Sequence, residues 1–169
     1  LFPDKAASGA LADMDRLEER FLTHPALAIE QSRLTIDSMA RQAQNNILSA
    51  FSLLEKFDDD RFAALQEDEE AIDHYEDKLG TYLIKITSKE LTTRQTADVS
   101  KYLHTISDLE RISDHSVNLL ESAEEMHQKN IEFSKDAQEE LQVLEDAVQD
   151  ILSRTTDAFR KGDLHLASK

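Results

Sequence analysis

Two pairs of carboxylates carry the only chemistry this chain displays at regular spacing. Glu110 and Asp114 stand four residues apart in Asp108-Leu109-Glu110-Arg111-Ile112-Ser113-Asp114-His115, and Glu69 and Asp73 repeat that spacing upstream. On a helix, residues four apart lie on one face with their Cβ atoms about 5–6 Å from each other. If the two helices face one another, four carboxylates converge. Such a set of hard oxygen donors suits Mg²⁺, Ca²⁺, Mn²⁺ or oxidised iron. Without a cation the acids repel one another, and each holds its proton more tightly than in water. Glu76 extends the second-helix series, Asp77 flanks it, and Asp108, His104 and His115 adjoin the third-helix pair as further donors. The competing reading is a solvated acidic face, of the kind that Glu139-Glu140 and Glu145-Asp146 illustrate.

The elements that must position these acids follow from hydrophobic spacing. The sequence predicts four long helices, at about 27–57, 61–89, 94–128 and 134–161. Ile36, Met39, Ala43, Asn46, Ala50, Leu53 and Phe57 form the stripe of the first. Phe62, Leu65, Glu69, Ile72, Glu76, Leu79, Leu83 and Ile86 form that of the second. On the third, Leu103, Ile106, Glu110, Asp114 and Val117 share one face, which places both acids in a core stripe. Ala137, Leu141, Leu144, Val148, Ile151, Thr155 and Ala158 make an apolar stripe on the fourth. Asp58, Thr92 or Thr93, and Ser134 are suitable N-caps, and Gly162 is a suitable C-cap. Gly80, in the middle of the second helix, is read as allowing close helix approach. Residues 1–24 read as a linker with a short docking helix carrying Leu17, Phe21 and Leu22, and residues 25–169 as the bundle.

Composition narrows the function. The chain has 169 residues, with 3 Gly and 2 Pro, as suits an all-α antiparallel helical bundle. A formal charge of −16 repels nucleic acid and anionic lipid, and favours cations and basic protein surfaces. No cysteine is present, so disulfides, thiolate metal sites and cysteine catalysis are excluded. No run of about 18 apolar residues offers a membrane span. Glu124-Glu125-Met126-His127 matches the Glu-x-x-His element of di-iron bundles, but those need the element twice and the chain has it once. A di-metal oxidase or hydrolase therefore ranks last, and a metal-free interaction scaffold is the main alternative to a metal-binding domain.

A weak repeat also appears. A shift of 104 residues aligns Ala43 with Ala147, Ile47 with Ile151, Leu48 with Leu152, Asp59 with Asp163, Phe62 with Leu166 and Ala63 with Ala167. The chain then reads as one three-helix unit plus the start of a second.

The third-helix segment from Asp108 to Glu121 resembles the signature helix of the PhoU family, acidic/Leu-Glu-Arg-Ile-Gly-Asp-His-Ala-x-Asn. Ser113 stands where Gly is usual and Ser116 where Ala is usual. Glu69-Glu70-Ala71-Ile72-Asp73 resembles the family's other Glu-x-x-x-Asp motif. The resemblance implies tandem three-helix repeats, each with a metal site. Here Glu69, Asp73, Glu110 and Asp114 would bind iron, zinc, manganese or another such ion. It implies a non-enzymatic role in phosphate uptake and its signalling, and a homo-oligomer. The segment from Phe21 to Arg33 is similar to the stretch leading into the PhoU-like tail of bacterial Na/Pi-cotransporter-related membrane proteins. That implies a cytoplasmic domain attached to or acting at the inner membrane, with an upstream transmembrane transporter domain or transporter subunits as partner. A free-standing PhoU-type regulator is the alternative.

Overall fold

Local capping chemistry fixes where the helices begin and end. The computed structural model describes residues 12–162. Helix α1 spans Pro25–Glu55 and starts with proline in its first turn, where the missing N–H costs nothing. Asp58 caps α2 (Asp59–Thr87) by accepting from the Arg61 amide at 2.9 Å, and Asp59 and Asp60 favour the same helix end electrostatically. A capping box opens α3 (Thr93–Lys129). Thr92 Oγ1 accepts from the Gln95 amide at 3.3 Å, and Gln95 Oε1 accepts from the Thr92 amide at 2.9 Å. Asn130 closes α3 in the left-handed conformation, φ 52°, and the Ile131 amide reaches back to the Met126 carbonyl. Ser134 caps α4 (Lys135–Lys161), which ends at Gly162 with φ 63°. The sequence-derived boundaries agree to within two residues. No β-strand occurs among the described residues, so the architecture is the expected all-α bundle.

Helix α1 is the hub against which α2, α3 and α4 all pack, with α2 and α3 also in contact with each other. Its interior face forms two apolar clusters. One gathers Ile36, Met39, Ala43, Ile72, Leu83 and Ile106, and the other Ala50, Leu53, Leu65, Leu120 and Ala123. Before α1, a 3-10 turn at Glu19–Thr23 packs on α1, and Lys85 of α2 pairs with its Glu19. Met14, Leu17 and Leu22 enter the first cluster there. The Tyr82 hydroxyl donates to the Glu18 carbonyl at 2.9 Å, and that of Tyr75 to Asp13 Oδ2 at 3.4 Å.

Two expectations need correction. Gly80 does not serve a close approach: a Cβ there would meet only Ile106 Cδ1, at 3.7 Å, an ordinary contact. The apolar stripe of α4 is not a core stripe along its length. Ala158 is buried, but Leu144, Ile151 and the adjacent Val143 are each more than half exposed. Among the α-helices, α4 has α1 as its main neighbour, so one side of its apolar surface is left uncovered. Residues 1–11 of the predicted linker, the end of the predicted bundle at 163–169, and with it the repeat partners Asp163, Leu166 and Ala167, lie outside the described residues.

Two substitutions probe this packing. Ile72→Ala empties a fully buried position and should cost about 2–5 kcal/mol in urea unfolding. Gly80→Ala should instead stabilise by about 0.5–1 kcal/mol, because a methyl group fits and helix propensity improves.

Candidate functional site

The core-facing line of α3 passes through Tyr102, Ile106, Ser113, Ser116, Leu120 and Ala123. That is one position off the line through Glu110 and Asp114. Glu110 is consequently half-buried and Asp114 exposed. On α2, Glu69 is half-buried and Asp73 exposed, beside the buried Leu65, Ile72 and Tyr75. The acids therefore flank the core rather than interrupt it. The physical reason is cost. A serine is small and can satisfy its hydroxyl on its own helix, as Ser116 Oγ does on the Ser113 carbonyl at 2.5 Å. A buried carboxylate has no such outlet.

The structure nevertheless brings the four acids to facing edges of α2 and α3. Burial, and then the negative fields of Asp73, Asp114, Glu70 and Glu110, raise the pKa of Glu69 above the ordinary carboxylate value. Burial also raises Glu110, followed by the fields of Asp114, Glu76 and Asp73, with Arg111 acting in the opposite direction. Nearby, Ser107 Oγ on α3 donates to Glu76 Oε1 on α2 at 3.1 Å and ties the two helices together. Sequence reasoning placed Glu76 here but not its serine partner. A polar residue opposite a half-buried acid leaves no periodic signal.

Among the described residues, the lysine and arginine side chains in salt bridges serve other carboxylates. Arg41 pairs with Asp37, Lys85 with Glu19 and Lys129 with Glu125. Among the described residues, none of Glu69, Asp73, Glu110 and Asp114 forms such a pair. Nor do any three His, Asp or Glu side chains among the described residues converge tightly enough to hold a metal ion as they stand. The site is an acidic edge with excess negative field and two side chains, Asp73 and Asp114, that face solvent. The other sequence candidates sit apart from such a constellation. His104, His115 and Asp77 are exposed, and His127 stacks on Phe57 with ring centroids 4.3 Å apart.

Comparison with protein families decides the relationship. The PhoU domain matches residues 36–123, just over half of the chain. The chain belongs to the PhoU domain family. The matched stretch runs from within α1 through α2 and along most of α3, and it includes all four acids. Helix α4 and the segment that docks ahead of α1 lie outside it. Searches of curated proteins and of solved structures return no significant match.

The raised Glu110 has a signed consequence. An acid whose folded pKa lies above its unfolded value favours the fold only while protonated, and that contribution is lost as pH rises through the folded value. In chelator, Glu110→Gln should therefore raise the thermal midpoint at neutral pH. The gain should shrink as pH falls toward the ordinary carboxylate range, in unfolding curves followed by circular dichroism.

Proposed function

We propose that this PhoU domain regulates phosphate transport, as the cytoplasmic part of a Na/Pi-cotransporter-like membrane protein, and that a metal cation acts at its acidic edge. The observation that carries the reading is the PhoU match across both helices that bear the paired acids. The segment from Phe21 to Arg33, which leads into α1, supports the transporter setting by its similarity to the corresponding stretch of those membrane proteins. Among the described residues no helix is long and apolar enough to cross a membrane, so in this reading the transmembrane part is a separate domain or subunit.

The donor set fits a hard cation in kind. Four carboxylates that form no salt bridge among the described residues, two of them destabilised by burial and by their neighbours' charge, gain from neutralisation. Glu69, Asp73, Glu110 and Asp114 would hold the ion, and iron, zinc or manganese suits oxygen donors of this type. When bound, the ion supplies positive charge that cancels the repulsion across α2 and α3. Asp73 and Asp114 must turn in from solvent to take part, and the Glu76–Ser107 bond already holds the two helices together beside them. Cation occupancy would thus tighten the α2–α3 edge and pass that change to a transporter surface. The charge of −16 favours a basic one. The uncovered side of α4 would take further helices, either from a second repeat or from another copy in an oligomer.

A second reading is supported by the absence, among the described residues, of three converging ligands: a metal-free scaffold whose acidic edge binds partner cations such as Lys and Arg. Elemental analysis separates the two. Protein purified without an affinity metal should carry stoichiometric iron, zinc or manganese, and Glu110→Gln/Asp114→Asn should lose it. Chelation should lower the thermal midpoint of the parent and leave that of the variant unchanged. Absence of metal from both proteins, with no effect of chelator, would favour the scaffold.

A further inference from the structure

Asn46 and Ser113 are each 1% exposed, yet Nδ2 of Asn46 and Oγ of Ser113 have no hydrogen-bond partner. Buried donors without acceptors are rare because each gives up its bonds to water. Their position in the fold is informative. Ala43, Ile72 and Ile106 belong to one apolar cluster, and Ala50, Leu65 and Leu120 to the other. Between the clusters stand Asn46 on α1 and Ser113 and Ser116 on α3. On α2 the corresponding interval, between Leu65 and Ile72, contains the half-buried Glu69.

Two other polar groups at this level are engaged. Asn46 Oδ1 accepts from Gln42 Nε2 at 3.0 Å, and the Ser116 hydroxyl is bound to the Ser113 carbonyl. Glu69 faces α3, as the fields of Asp114 and Glu110 upon it require. A carboxylate accepts up to about four hydrogen bonds, and the two donors in want of an acceptor stand at the same level of the bundle as Glu69.

We propose that Asn46 and Ser113 are positioning residues for Glu69, donating to its carboxylate when that side chain turns inward from the rim of the core. This fixes one oxygen inward and turns the other toward the acidic edge. The inference deepens the cation reading and depends on it only for the task of the outer oxygen. It also gives the break in the apolar core a use: an apolar residue at position 46 would pack better but leave Glu69 unheld.

A double-mutant cycle tests it, with urea midpoints measured in chelator at neutral pH for the parent, Asn46→Leu, Glu69→Ala and the double variant. Glu69→Ala should move the midpoint in the parent and move it much less once Asn46 is replaced. Equal shifts in both backgrounds would overturn the proposal and leave Asn46 as a residue that fixes helix register. If Asn46→Leu does not fold, Ser113→Ala takes its place in the cycle. Titration of Mn²⁺ by calorimetry then tests the cation reading separately. Binding should weaken about tenfold to a hundredfold in the Asn46 or Ser113 variant. Coupling in the cycle with no Mn²⁺ binding by the parent would sink the cation reading and keep the clamp on Glu69. Additive midpoints with equal Mn²⁺ binding in all folded variants would do the reverse.

Discussion

Helix α1 has to be buried on most of its circumference, and the rest of the bundle follows from that demand. It meets α2, α3, α4 and the preceding turn, so few of its positions are left for charge. Small residues answer the demand: Ala28, Ser32, Ala40, Ala43 and Ala50 are all buried. The buried hydroxyls of Ser32 and Thr35 are satisfied on their own helix, by the carbonyls of Ala28 at 2.9 Å and Gln31 at 3.0 Å. Large apolar side chains of α2, Ile72, Leu79, Leu83 and Ile86, pack into the same core cluster as Ile36 and Met39 of α1 itself. A hub of this kind tolerates a polar side chain only where a neighbour can use it, which makes Asn46 a position of interest.

Electrostatics divides the surface into settled and unsettled parts. Most ion pairs run along single helices at three- or four-residue spacing, such as Glu30 with Arg33 and Asp150 with Arg154. These exposed pairs contribute little each, but they locally balance the acids they touch. The α2–α3 edge lacks that balance. There like charges stand together at a cost, which the proposed cation would relieve. This is the pattern expected where an external positive charge completes the arrangement.

Helix ends, the order of elements and the family were legible in the sequence, because caps such as Asp58, Thr92 and Ser134 act locally and the Glu110–Asp114 motif is compact. The rotation of α3 was not. Leu103 with Ile106 and Tyr102 with Ile106 both satisfy helical spacing, and one position of rotation moves the acids from the core to its rim. The stripe of α4 misled for a related reason: amphipathicity says that a face wants cover, not which element supplies it. The polar level was hidden more deeply. Asn46, Glu69 and Ser113 stand at one level through the lengths of two interhelical turns and the register of three helices, and no single segment records that sum.

The attachment of α4 also shapes how the molecule opens. Helices α1, α2 and α3 are mutually packed, so none can leave without exposing the apolar clusters. Helix α4 contributes the buried Ala158 and the Tyr102–Phe159 ring contact, with centroids 5.8 Å apart, at its far end. Its first turns are joined to α3 by a connection that turns at the left-handed Asn130. Few buried contacts hold such an element, so local opening should begin at α4 before it reaches the three-helix body. A neighbouring chain that captures α4 in the opened form would gain an apolar helix without having to unfold the domain that carries it.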